Sequence, residues 1–183
     1  MTTGIPNEIS QQVLEAYLII QQKVIENVSV TLLHIDKEYS SIAYGTYSAK
    51  PDKIWAFDIG TEKTSRDFFI HNPPTPGEVE NAINVVEDEV MPLHKMLPAN
   101  SVLYSIDADI REMVRYADYE ENEYEMILTR TNMEQIFSRL AAIITGLPTS
   151  QDILPTSNSF ASTLLILREV MHHLEFLDIK IIK

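Results

Sequence analysis

The chain has 183 residues, 45% of them hydrophobic and 22% charged, with no cysteine and a formal net charge of −13, which is the profile of one globular domain long enough to bury a core. The missing thiols exclude thiol catalysis, disulfides and thiolate metal sites. The acidic balance, with 14 scattered Lys and Arg and no basic run, argues against a nucleic-acid ligand.

The N-terminal stretch MTTGIPNEIS lacks the basic and apolar regions of a signal peptide. No apolar run approaches membrane-spanning length. The expectation is a cytoplasmic protein that does not enter a membrane.

Residues Ser10 to Asn27 place Val13, Leu14, Tyr17, Leu18, Val24 and Ile25 at helical spacing, with Ser10 as N-cap. The period then changes. Val28–Ile35, Ser41–Tyr47 and Lys53–Ile59 are short, β-branched and aromatic-rich, and predict a three-stranded antiparallel meander. Thr75-Pro76-Gly77-Glu78 is a helix start, with Thr as N-cap, Pro at the first helical position and Glu closing a capping box. This helix is predicted to run to about Leu97, with Val79, Ile83, Val86, Val90 and Leu93 on one stripe and a break at Pro92.

Ser101–Ile106 reads as a buried strand and Ala108–Tyr116 as a helix. Asp118–Glu125 is acidic and reads as a solvated loop. Thr131-Asn132-Met133-Glu134 resembles a second capping box ahead of an apolar face of Met133, Ile136, Phe137, Leu140 and Ile144. A polar loop over Thr145–Ser159 precedes a strongly apolar helix, Phe160–Leu174, and Asp178–Ile182 closes the chain as a strand. The order α-βββ-α-β-ααα-β predicts a single α/β domain over residues 1–183. Its architecture would be a ribonuclease-H-like half-domain: a mixed five-stranded sheet, three antiparallel strands and then βα crossovers, with flanking helices. Actin-like ATPases and sugar kinases are built from two such halves.

Five segments carry a resemblance in order. Glu8-Ile9-Ser10 with Glu15-Ala16-Tyr17-Leu18 resembles the motif I-S-G-x-x-E-A. LLHIDKEYSSIAYG resembles V-V-D-I-G-G-G-S-T-E-L-A-Y-G, and AFDIGTEKTSRDFF resembles S-L-P-L-G-x-V-R-L-T-E-x-F. NPPTPGEVENA resembles an acidic, Pro-rich helix start, and LTRTNMEQIFSRLA resembles L-T-x-x-x-L-x-x-L-x-x-x-L. Together, over residues 8–182, they resemble the C-terminal core half of the exopolyphosphatase / guanosine-pentaphosphate phosphatase family, of the actin-like, sugar-kinase superfamily.

The departures bear directly on function. In that family the D-I-G-G-G-S turn binds phosphate through backbone N–H groups that glycines leave accessible. The corresponding residues are His34, Ile35, Asp36, Lys37, Glu38 and Tyr39, so all three glycines are replaced and two carboxylates stand where phosphate oxygens would sit. A second glycine loop of the family falls near Tyr104-Ser105-Ile106-Asp107-Ala108-Asp109, again without glycine. Of the aligned glycines only Gly60 remains. The family's N-terminal half, which brings the first phosphate loop and the catalytic glutamate, has no counterpart here. The resemblance therefore implies a non-catalytic relative without a cofactor, acting by protein association as a homo-oligomer or with a separate protein. The alternative is a phosphatase or nucleotide- or polyphosphate-binding subunit completed by a second chain or dimer mate.

Three side-chain groups are candidate sites. Asp36, Glu38, Asp107 and Asp109 would face one another if the family fold holds, and four carboxylates suit Mg²⁺ or Ca²⁺; the simpler reading makes them turn and cap residues, with Asp107 an N-cap. His34, beside Asp36, has the chemistry of a general base but also of an ordinary satisfied strand histidine. His172 and His173 point about 100° apart on a helix, which suits pairing with Arg168, Glu169 or Glu175 better than joint metal chelation.

Overall fold

The apolar periods of the chain sort onto the two faces of one sheet. The computed structural model describes residues 7–24, 28–46, 48–98 and 100–183. Helix α1 (Asn7–Lys23) lays Val13, Ala16, Tyr17 and Ile20 against one face, where they meet Val30, Leu32, Ala43 and Tyr104. Strands β1 (Ser29–Ile35), β2 (Ser40–Thr46) and β3 (Lys53–Phe57) form the expected antiparallel meander. Gly45 lets the first helix approach: a Cβ there would lie 2.2 Å from the Tyr17 hydroxyl oxygen.

The other face is covered by α2 (Thr61–Phe68), α3 (Pro76–Val90), α4 (Ala108–Val114), α5 (Arg130–Ile144) and α6 (Asn158–His173). Helix α6 is central. Its segment Ala161–Leu167 is buried throughout, Ser162 and Thr163 included; the stripe Leu164, Leu167, Met171 and Leu174 is core, flanked by a partly buried Phe160. The capping box at Thr75 and Glu78 forms as predicted, and Pro92 divides the helix, which passes at Met91–Lys95 into a 3₁₀ turn.

Among the described residues the sheet has seven strands, not five, in the order β3-β2-β1-β4-β7-β6-β5. Strands β4 (Val102–Ser105) and β7 (Asp178–Ile182) run parallel to β1 at its centre. The two unforeseen strands are β5 (Glu120–Glu121) and β6 (Glu125–Thr129), which occupy and follow the stretch expected to be a solvated loop. Their acidic residues are offset by lysines of the C-terminal segment, Lys180 to Glu125 at 3.2 Å and Lys183 to Glu121 at 2.8 Å. Met126 and Leu128 point into the core.

Other helices also differ: α6 begins at Asn158, capped by Ser157, two residues before the predicted start. Helix α1 begins at Asn7, so Ser10 lies inside it rather than capping it, and it ends at Lys23; the predicted extension to Asn27 and the predicted strand end at Tyr47 fall outside the described residues. Helix α5 is capped by Thr129, whose hydroxyl accepts from Asn132 N at 3.2 Å, and not by Thr131. The reason is sheet pairing. Arg130 N donates to Leu177 O at 2.8 Å, which holds the chain in register with β7 up to the first helical residue. Helix α2 was not foreseen, because its only buried residues are Thr61 and Thr64 and it has no apolar stripe. Among the described residues, no helix is long and apolar enough to cross a membrane.

Candidate functional site at the ends of the parallel strands

In parallel neighbours the C-terminal ends lie side by side, and in open α/β sheets ligands bind outside those ends. The register of β1 with β4, Leu32 opposite Tyr104, brings the β1–β2 corner next to the turn between β4 and α4. Here the two meet. Asp107 accepts from His34 Nδ1 at 2.6 Å and from Ile35 N at 2.7 Å. Its own N–H donates to Ser105 Oγ at 3.1 Å.

Asp107 does occupy the N-cap position of α4, but its carboxylate makes no cap bond to that helix. It turns to β1 and ties the strand ends together. His34 is thus paired with Asp107, not with Asp36 as the sequence suggested. The hydrogen bond to Asp107 holds the imidazolium above the ordinary histidine range, against the opposing pull of burial. The far ring nitrogen, Nε2, is buried with no hydrogen-bond partner among the described residues.

The β1–β2 corner is closed by its own backbone and by α2. Asp36 N donates to Tyr39 O at 2.9 Å, and Lys37 N to Asp36 Oδ1 at 2.7 Å. The first N–H groups of α2, which a helix cannot satisfy internally, find carbonyls of the corner. Thr61 N donates to Asp36 O at 2.9 Å, and Glu62 N and Lys63 N donate to Lys37 O at 2.9 and 3.0 Å. Gly60 allows this docking, because a Cβ there would lie 2.4 Å from Lys37 O and 2.5 Å from Glu38 C.

The side chains repeat the pattern. Arg66 grips Glu38 with both terminal nitrogens, at 3.0 and 2.9 Å, and this holds the Glu38 carboxyl below its ordinary range. Lys37 pairs with Glu62 at 2.8 Å. Sequence reasoning missed Thr61, Glu62 and Arg66 as parts of the corner. The sole signal was charge complementarity between D-K-E at 36–38 and T-E-K-T-S-R at 61–66.

The four carboxylates proposed as one cation site do not converge. Glu38 is held by Arg66, Asp36 caps Lys37 N, Asp107 faces Ile35 and His34, and Asp109 lines a hollow beside Tyr116 and Phe160. Among the described residues no three His, Asp or Glu side chains gather around one point, so the donor set does not fit a divalent ion. His172 and His173 pack edge to face, and His173 Nε2 lies 3.0 Å from the buried Glu169, which Arg168 contacts at 2.6 Å. His173 belongs to an ion cluster between helices, and His172 packs on its ring.

No protein-family model matches the sequence, and no curated protein matches it. Solved structures do match. A Ppx/GppA phosphatase from Aquifex aeolicus superposes with a TM-score of 0.74 at 14% identity, over 94% of this chain and 59% of its own. An exopolyphosphatase from Cytophaga hutchinsonii gives 0.70 at 14% identity, over 95% and 60%. An exopolyphosphatase-like protein gives 0.68 at 10% identity, over 93% and 56%.

The fold is that of the Ppx/GppA phosphatases. The similarity runs through nearly the whole of this chain but spans less than two thirds of theirs. The actin-like architecture expected from the sequence is therefore present, with two strands more than predicted.

Proposed function

We propose that this chain is a non-catalytic relative of the exopolyphosphatases that acts by association with protein, as a homo-oligomer or with a separate partner. The observation that carries this reading is the occupancy of the corner. Five backbone N–H groups that could line an anion cradle (Asp36, Lys37, Thr61, Glu62 and Lys63) are bonded within the protein. The carboxylate of Asp36 adds negative charge where the family places phosphate, while that of Glu38 already engages Arg66. No Gly-rich loop remains to be ordered by a ligand.

A thermal-shift titration tests it, with ATP, GTP, guanosine pentaphosphate and polyphosphate, each with and without Mg²⁺. A ligand that binds only the folded state raises the melting temperature. Flat curves to millimolar ligand, together with an oligomer or captured partner in sedimentation, are expected. A reproducible Mg²⁺-dependent rise overturns the reading.

One observation favours a second reading. The chain spans only 59% of the Aquifex phosphatase, which suits a subunit whose cleft is completed by a second chain or dimer mate. On that reading the same titration is flat for this chain alone and rises when the completing chain is added.

A further inference from the structure

The two edges of the sheet are built differently. One is β5, only two residues long and both glutamate. Short length and charge are common ways of keeping a sheet edge from pairing. The other is β3, five residues of sequence Lys-Ile-Trp-Ala-Phe, without proline, glycine or carboxylate. Ile54, Trp55 and Ala56 stay half-buried on it. The nearest acids, Asp52 and Asp58, lie beyond its ends and engage Thr46 and Lys63.

Hydrogen-bond alternation fixes which groups this edge presents. Asp36 N donates to Tyr39 O at 2.9 Å. With Ile35 opposite Ser40, that bond makes Ser41 and Ala43 the residues of β2 bonded to β1, and turns Ser40, Ile42 and Tyr44 toward β3. Asp52 N, which donates to Tyr44 O at 2.8 Å, agrees. The β3 residues opposite these three, Phe57, Trp55 and Lys53, therefore aim their backbone groups back at β2. Ile54 and Ala56 aim theirs outward, and no strand among the described residues receives them. They flank Trp55, the chain's single tryptophan, which stacks on Tyr44 with ring centroids 5.9 Å apart.

We infer that β3 pairs antiparallel with β3 of a second copy of this chain, about a two-fold axis at Trp55. The spacing is self-complementary. Ile54 of each copy lies opposite Ala56 of the other, so every outward N–H of the two strands finds a carbonyl. The two Trp55 side chains meet at the axis, the part of an interface where aromatic residues contribute most. Charge selects this edge. A chain of net charge −13 repels its own copy at long range, and pairing through β5 would set glutamates against glutamates. The inference rests on the reading of the chain as a protein that acts by association, and names the surface it uses.

The test uses the full chain in sedimentation velocity across the micromolar range, with amide hydrogen exchange read by NMR. A dimer is expected, with the Ile54 and Ala56 amides exchanging slowly only at concentrations where it forms. Ala56→Pro removes the outward N–H and keeps the bonds to β2, because an edge strand tolerates proline where the N–H faces away from the sheet. It should weaken dimerisation about tenfold or more, since each copy loses a hydrogen bond. Glu120→Ala, on the other edge, should leave dimerisation unchanged. A dimer whose Ile54 and Ala56 amides exchange freely overturns the inference, as does parent affinity in a folded Ala56→Pro chain; either leaves association through another surface standing. A monomer at every concentration overturns it too, and leaves only a separate protein as partner. The exchange measurement needs no variant, so it decides even where Ala56→Pro fails to fold. The phosphate-ligand titration reads the association hypothesis itself, so the two can fail separately.

Discussion

The carboxylate of Asp107 accepts from Ile35 N at 2.7 Å and from His34 Nδ1 at 2.6 Å, so one side chain at the start of α4 holds the end of β1. Both interactions cross from the turn between β4 and α4 to the end of β1. Asp107 is 7% exposed, which makes its partners costly to abandon. Replacing it with alanine leaves a buried N–H and an imidazole without an acceptor. The expected loss is on the order of 1–3 kcal/mol, measured by urea unfolding, with Asp107→Asn losing less because its carbonyl still accepts from Ile35 N. An unchanged midpoint in Asp107→Ala would show that the strand ends do not depend on this tie.

The same pair sets a pH dependence. The folded His34 binds its proton more tightly than the unfolded chain does, chiefly through the Asp107 hydrogen bond. Its contribution to stability is therefore fully present below the ordinary value of 6.5, and is lost as pH rises through the elevated folded value. Urea midpoints measured from pH 5 to pH 9 should fall across that window in the native chain, and the His34→Gln variant should fall less. Parallel curves for the two proteins would refute the assignment.

Glu78 gives the opposite slope. It accepts from Ile70 N and Thr75 N and contacts His71 Nδ1, and these bonds, that of Thr75 first, lower its carboxyl from 4.5 to about 2. The stability it contributes is present above the ordinary carboxylate value and is lost as pH falls toward 2. In an acid titration followed by circular dichroism, Glu78→Gln should lose less stability between those limits than the parent. A steeper acid transition in the variant would contradict this.

Two glycines separate close docking from simple helix propensity. A Cβ at Gly60 would meet backbone atoms of Lys37 and Glu38 within 2.5 Å, whereas at Gly77, in the first turn of α3, it meets nothing within 4 Å. Gly60→Ala must push the corner and α2 apart, at a cost of about 1–3 kcal/mol. Gly77→Ala should stabilise by about 0.5–1 kcal/mol. Thermal melts of both read the contrast, and equal effects would mean that the corner is not clamped.

Most of the meander, the Thr75 capping box, the break at Pro92 and the core helix α6 were legible in the sequence. In each the signal is local: β-branched runs, a cap with its reciprocal glutamate, a proline without an N–H, an apolar stripe at helical spacing. The glycine-free D-K-E corner between β1 and β2 was legible too. Neither α2 nor the strands β5 and β6 could be read this way. Helix α2 exists because carbonyls of Asp36 and Lys37, some twenty-five residues earlier in the chain, accept its first N–H groups and because Arg66 reaches Glu38. Strands β5 and β6 exist because β7 supplies a pairing edge and the lysines at 180 and 183 offset their glutamates. The partner of His34 was misread for the same reason. Asp36 is its neighbour along the chain, but side chains two apart on a strand end do not set the contact. The parallel pairing of β1 with β4 does, and it brings Asp107, seventy-three residues away, to 2.6 Å. Sequence determined which segments could bury themselves; tertiary pairing decided which polar groups they would satisfy.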